Sequence, residues 1–298
     1  MDFLQNLRAT LLYFDLFDYP LTEEELFRFM PEKMSFADFT QLLHQSGCRS
    51  SEGYFYLRET GEVVSIRLTR QRKAAKMLAA SVLVGKLIRI CPFVRGVFLS
   101  GSLSKGVNDG DADVDLFIVS AEHRLWICRS ILTAFKKSFL LNSKKFLCPN
   151  YFVTESHLEI PERNIFTATE LTTLRPLYNT PMLKRLLGAN LEWVLDFYPN
   201  YEFDFQEQSV RRSLVQRVLE VPMSDGYTEK LDDRLMDFYR RNWRHRYPGY
   251  SDEQRDFLFR TTPYASKVHP NDYQTMILGE YERRLSAEGL VRVTRLDG

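Results

Sequence analysis

The stretch VFLSGSLSKGVNDGDADVDLFIV, residues 97–119, decides how the chain is read. Val97-Phe98-Leu99 is a short apolar run that breaks at Gly101-Ser102. A loop carrying Gly, Asn and Asp follows, and the chain returns as Asp113-Val114-Asp115-Leu116-Phe117-Ile118-Val119. Two apolar runs split by such residues predict two strands joined by a loop. Side chains alternate along a strand, so Asp113 and Asp115 share one face while Ala112, Val114 and Leu116 take the other. Two carboxylates on one face repel and need a partner to stay ionised. Magnesium is the obvious partner, because it takes one or two carboxylates together with substrate phosphate oxygens. Upstream, Gly101 lets the backbone bend and a ligand approach. Ser102 and Ser104 bring hydroxyls, Lys105 brings a positive charge, and Gly106 and Gly110 leave the loop free to take positive φ. The plain alternative is a hairpin with an acidic, solvated end.

Gly101-Ser102 followed by Asp113-x-Asp115 on an apolar strand resembles the signature of the nucleotidyltransferase superfamily, the DNA polymerase β-like fold. Lys105-Gly106 matches the Arg-Gly that often follows the Gly-Ser pair, with Lys in place of Arg. The resemblance implies an α+β chain whose core is a mixed sheet flanked by helices. It implies Asp113 and Asp115 as ligands of Mg2+ or Mn2+, and a nucleoside triphosphate (NTP) held by Gly101, Ser102, Ser104 and Lys105. It does not imply a substrate. Such proteins usually carry a third carboxylate, a general base for the attacking hydroxyl, on the strand after the next helix. The apolar pattern puts Asn150 at that position, and Asn takes no proton. Either Glu155, just beyond that strand, is the base, or activation falls to metal or substrate, or the protein binds nucleotides without efficient turnover; the plain alternative for Glu155 is a loop acid near His157. Lys267 and His269 are further candidate triphosphate contacts.

A chain of 298 residues, 44% hydrophobic and 27% charged, has the composition of a globular protein of two or three domains. The net charge of +1 argues against a protein that coats nucleic acid. Cys48, Cys91, Cys128 and Cys148 show no paired metal spacing and read as reduced thiols of a cytoplasmic protein. The first residues lack a basic leader with a cleavage site, and no run reaches membrane-spanning length.

Residues 1–62 read as three short helices and a small hairpin, a winged-helix outline. Helical spacing covers residues 3–17, Thr22 to Glu25 is a capping box, Ser35 caps a third helix, and Tyr54 to Leu57 is a strand. The third helix, SFADFTQLLHQSG, holds no Lys or Arg, so DNA contact is not expected there.

Residues 63–187 are the expected nucleotidyltransferase core. A long helix over 63–91 opens it, with a basic first half (Arg67, Arg70, Arg72, Lys73, Lys76) that is either a solvated face or a ledge for an anionic substrate. Ser120 is read as the cap of a helix to about Leu141. In that helix Arg129 sits beside the apolar stripe, to snorkel, to pair with an acid or to meet a phosphate. Lys144 and Lys145 crowd its exit. A strand over 146–153, a helix over 165–173, a strand over 176–179 and a helix capped by Asn179 complete the core. Residues 188–298 are read as a helical C-terminal domain. Its Arg- and Trp-bearing helix, 231–246, either complements its own dipole or grips single strands, and residues 266–270 form a loop.

The expected activity is transfer of a nucleoside monophosphate from an NTP to an unidentified hydroxyl acceptor. The alternative is a catalytically silent nucleotide- or partner-binding protein on the same fold.

Overall fold

The computed structural model describes residues 2–108, 110, 113–139, 147–203, 205, 212–223 and 226–290. The N-terminal part is built from α1 (Phe3–Asp15), β1 (Leu21–Thr22), α2 (Glu23–Phe29), α3 (Phe36–Gln45), β2 (Ser50–Ser51) and β3 (Tyr54–Phe55). Caps fix these helices. Thr22 and Glu25 form the expected capping box of α2, and the Ser35 side chain accepts from the Asp38 amide at α3. The three strands make an antiparallel sheet in the order β1-β3-β2.

The long helix α4 (Glu62–Ile88) leads into β4 (Val94–Leu99), the one-turn α5 (Gly101–Ser104) and β5 (Asp115–Ser120). Next come α6 (Leu125–Phe139), β6 (Cys148–Thr154), α7 (Ile165–Thr172), β7 (Arg175–Tyr178) and α8 (Thr180–Phe197). The remainder is α9 (Leu214–Glu220), α10 (Gly226–Arg246), α11 (Asp252–Leu258), β8 (Ala265–Lys267) and α12 (Tyr273–Ala287).

The architecture is α+β around a five-stranded mixed sheet, ordered β7-β4-β5-β6-β8. β4 pairs antiparallel with β5 and β7, β5 runs parallel to β6, and β8 is antiparallel to β6. The parallel step needs a crossover, and α6 supplies it. Strand alternation sends Phe98, Phe117, Val119 and Val153 into a core shared with α1, α7, α8 and α12. It sends Val97, Leu99, Leu116, Ile118 and Phe152 into a second core with α4, α6 and α10. With both faces covered, the strand interiors read as continuous apolar runs.

Several elements depart from the sequence expectations. The strand starts at Asp115, so Asp113 and Val114 precede it as irregular chain. Ser120 ends β5 instead of capping α6. The boundary expected at 187/188 falls inside α8. The loop expected over 266–270 contains part of β8, which gives the sheet its edge. α12 packs back on α1, where the Tyr281 hydroxyl donates to the Ala9 carbonyl at 3.0 Å and Arg284 pairs with Asp15 at 2.8 Å. Lys144, Lys145 and the start of the strand expected at 146 lie outside the described residues. Among the described residues no helix is long and apolar enough to cross a membrane.

Candidate functional site

The Gly-Ser bend and the aspartate strand meet at one end of the central sheet. Gly101 has φ +69, and a Cβ built on it would lie 2.5 Å from Asp115 Oδ2. No other residue fits between that backbone and that carboxylate without displacing one of them. The Ser100 amide donates to the Asp115 carbonyl at 2.9 Å, which fixes the bend against the strand.

Asp115 Oδ1 accepts from the side-chain amide of Asn150 at 2.5 Å. Asn150 lies where the register of β5 on β6 shifts, between the pairs Leu116↔Pro149 and Phe117↔Tyr151. It is therefore Asn150 that faces the aspartate, as its place in the apolar pattern predicts. Burial first, then the negative charges of Glu170 and Asp113, push the Asp115 carboxyl up to about 7. Asp113 is thus near enough to act on Asp115, although it stands outside the strand.

Glu155 stands elsewhere. β5 and β6 run parallel with Asp115 opposite Cys148 and Ser120 opposite Thr154. Glu155 follows Thr154 at the far end, roughly 17 Å along the sheet at the usual rise per residue. There its carboxylate lies 3.6 Å from Arg95, which also binds Glu220 at 2.8 Å. The assignment of Glu155 as base is corrected on this geometry.

Lys267 is likewise committed. It is a buried β8 residue whose ammonium pairs with Glu162 at 3.0 Å and lies over the Phe257 ring. Glu162 also holds Arg260 at 3.0 Å. His269 is held neutral, its imidazole pushed down to about 4 mainly by burial.

Ser102 and Ser104 lie on α5, and the Ser104 hydroxyl donates to the Gly101 carbonyl at 2.8 Å. Lys105 donates to Glu170 at 2.6 Å and to the Gly101 carbonyl at 3.2 Å. Glu170 also accepts from the Gly101 amide at 3.2 Å. Helical periodicity over 165–173 does not by itself single out this carboxylate. The signal was there, because Glu170 alone is ionisable among the residues IFTATELT of α7.

The N-terminal helices brace the bend from behind. The Tyr19 hydroxyl lies 2.8 Å from Glu25 and 3.0 Å from the Lys105 carbonyl. Arg67 grips both oxygens of Glu25 at 2.7 Å and covers the Tyr19 ring. Two of the cations expected as a solvated face or anionic ledge therefore serve the fold, Arg67 on Glu25 and Arg70 on the Phe17 carbonyl at 3.0 Å. Lys73 instead faces the loop, its ammonium 3.6 Å from where a Cβ on Gly110 would lie. Arg129 is buried between the rings of Phe152 and Tyr239, and burial pulls it down to about 10. Tyr239 and Trp243 of α10 are core residues, which removes them as a stacking platform for nucleic acid.

Among the described residues, no three His, Cys, Asp or Glu side chains group so as to hold a metal ion. The donor set at the bend is a carboxylate pair with excess negative charge. That set fits a magnesium ion completing its shell with phosphate oxygens and water, and not a cation needing an all-protein cage. A cavity of about 320 Å³ opens beside Ser104 and Lys105, between the N-terminal helices and the α7–β7 turn. No protein-family model, curated protein or solved structure matches the chain.

Proposed function

We propose that the chain is a magnesium-dependent nucleotidyltransferase that moves a nucleoside monophosphate from an NTP to a hydroxyl acceptor. The observation that carries this reading is the juxtaposition of the positive-φ Gly101 and Asp115 at a distance that admits no side chain. It sets the bend, whose Gly101 amide donates to Glu170, directly against a carboxylate whose charge the surroundings disfavour. A cation relieves that arrangement, and an anionic ligand can approach once the cation offsets the carboxylate charge.

In this reading Asp113 and Asp115 hold the cation, magnesium or manganese. A bound cation would offset the negative charge that gathers on the phosphates during transfer. The Asn150 amide orients Asp115 through its hydrogen bond of 2.5 Å. Gly101, Ser102 and Lys105 seat the phosphates, and Glu170 must yield the Gly101 amide and the Lys105 ammonium for them to do so. No carboxylate of β6 stands ready to take the acceptor's proton, because Asn150 fills that place.

Asn150 also favours a second reading, a nucleotide-binding protein on the same fold that does not turn over. A pyrophosphate-release assay with magnesium and each NTP separates the two. Release by the parent that Asp113→Asn with Asp115→Asn abolishes supports the transferase. Magnesium-dependent NTP binding without release supports the silent binder, and neither binding nor release contradicts both.

A further inference from the structure

The cavity beside Lys105 has walls of two kinds. Phe14 and Phe29 pack with ring centroids 4.6 Å apart on one side. Tyr201 and Phe203 come from the other, 6.1 Å apart. Arg28 and Arg175 reach the same space, both exposed, and among the described residues neither pairs with a carboxylate. Glu25 on this wall is already held by Arg67, and Lys105 by Glu170. Glu202 adds one exposed carboxylate at the rim. At about 320 Å³ the cavity lies at the small end of the range for small-molecule sites.

Flat rings stack on aromatic side chains. Unpaired guanidinium groups recognise phosphate through paired hydrogen bonds. A ligand that satisfies both walls carries a planar ring and one phosphate. We infer that this cavity binds a nucleoside monophosphate, with its base on the half-buried Phe203 and its phosphate on Arg28 and Arg175. Its use as the acceptor side of the reaction rests on the nucleotidyl-transfer reading, but the binding itself does not. Ser104 and Lys105 belong both to this wall and to the bend that carries Gly101, so a bound ring lies next to the phosphate loop.

The test is calorimetric titration of the full chain with adenosine 5′-monophosphate in EDTA. Four titrations are compared: the parent, Arg28→Gln with Arg175→Gln, Phe203→Ala, and Asp113→Asn with Asp115→Asn. Binding by the parent, weakened at least about tenfold by the arginine pair and by Phe203→Ala and changed less than about twofold by the aspartate pair, is the expected result. Inorganic phosphate should bind at least about tenfold more weakly than the nucleotide, having no ring to stack. The exposed arginines can be replaced without loss of core packing, and a thermal melt of each variant checks this. The assignment is overturned if the parent does not bind the nucleotide, if binding follows the aspartates instead of the arginines, or if phosphate alone binds equally well. Failure here leaves the magnesium–NTP titration of the aspartate pair unaffected, so the two readings fail separately.

Discussion

The side-chain amide of Asn150 donates to Oδ1 of Asp115 across 2.5 Å, joining β6 to β5 at the end of the sheet where the Gly-Ser bend lies. An amide is the neutral mimic of the carboxylate that would complete a three-acid cluster there. It keeps the geometry and removes a proton acceptor. Asn150→Asp should therefore cost about 1–3 kcal/mol of stability in EDTA, because a further partly buried carboxylate joins Asp115 and Asp113. Magnesium should restore most of that loss. Thermal melts with and without the cation measure it, and a variant indifferent to magnesium counts against a cation at this position.

Asp115 also sets a pH dependence. Its carboxyl titrates near 7 in the folded chain, against an ordinary value of 3.8. The folded state therefore holds a proton that the unfolded state has lost between these values, and stability falls as pH rises through that window. The whole effect is at most about 4 kcal/mol. Asp232, raised to about 6 by burial, adds to the same slope. Asp115→Asn should flatten Asp115's share, leaving stability near pH 4 unchanged and raising it at pH 8. Urea midpoints of parent and variant at both pH values isolate the difference.

Glu170 occupies the Gly101 amide and the Lys105 ammonium, the groups a phosphate would use. Glu170→Gln should lower the Asp115 pKa and raise affinity for magnesium–ATP several-fold, since a neutral amide competes less well for both donors. Stability should change little, because the Lys105–Glu170 pair is partly exposed. A titration showing weaker nucleotide binding would mean that Glu170 serves the ligand instead of standing in its place.

Gly101→Ala should destabilise the chain by about 2 kcal/mol or more. The left-handed backbone alone costs roughly 1–2 kcal/mol for an L residue, and the new methyl would push on Asp115 Oδ2. A denaturation midpoint equal to the parent's would show that the bend does not press on the aspartate.

The central sheet and its flanking helices were legible because their signals are local. The apolar run around Phe117, the Thr22 capping box and the Asn179 cap each act within a few residues. What the sequence hid is the direction in which strands run. Asn150 and Glu155 are five positions apart in the chain, and only the parallel pairing of β5 with β6 puts one beside Asp115 and the other at the opposite end. Lys267 looked like a free loop cation because its partner Glu162 is distant in sequence. The place of Glu170 is hidden for the same reason, since its partners Gly101 and Lys105 are distant in sequence. Glu155→Gln should accordingly change magnesium–ATP binding by less than about twofold, as distant sites act independently.

The most direct test is a calorimetric titration of magnesium–ATP into the parent and into Asp113→Asn with Asp115→Asn. The account predicts that the parent binds only when the cation is present, and that the variant loses at least about tenfold in affinity. Equal affinity in the two chains, or binding that ignores the cation, would contradict it.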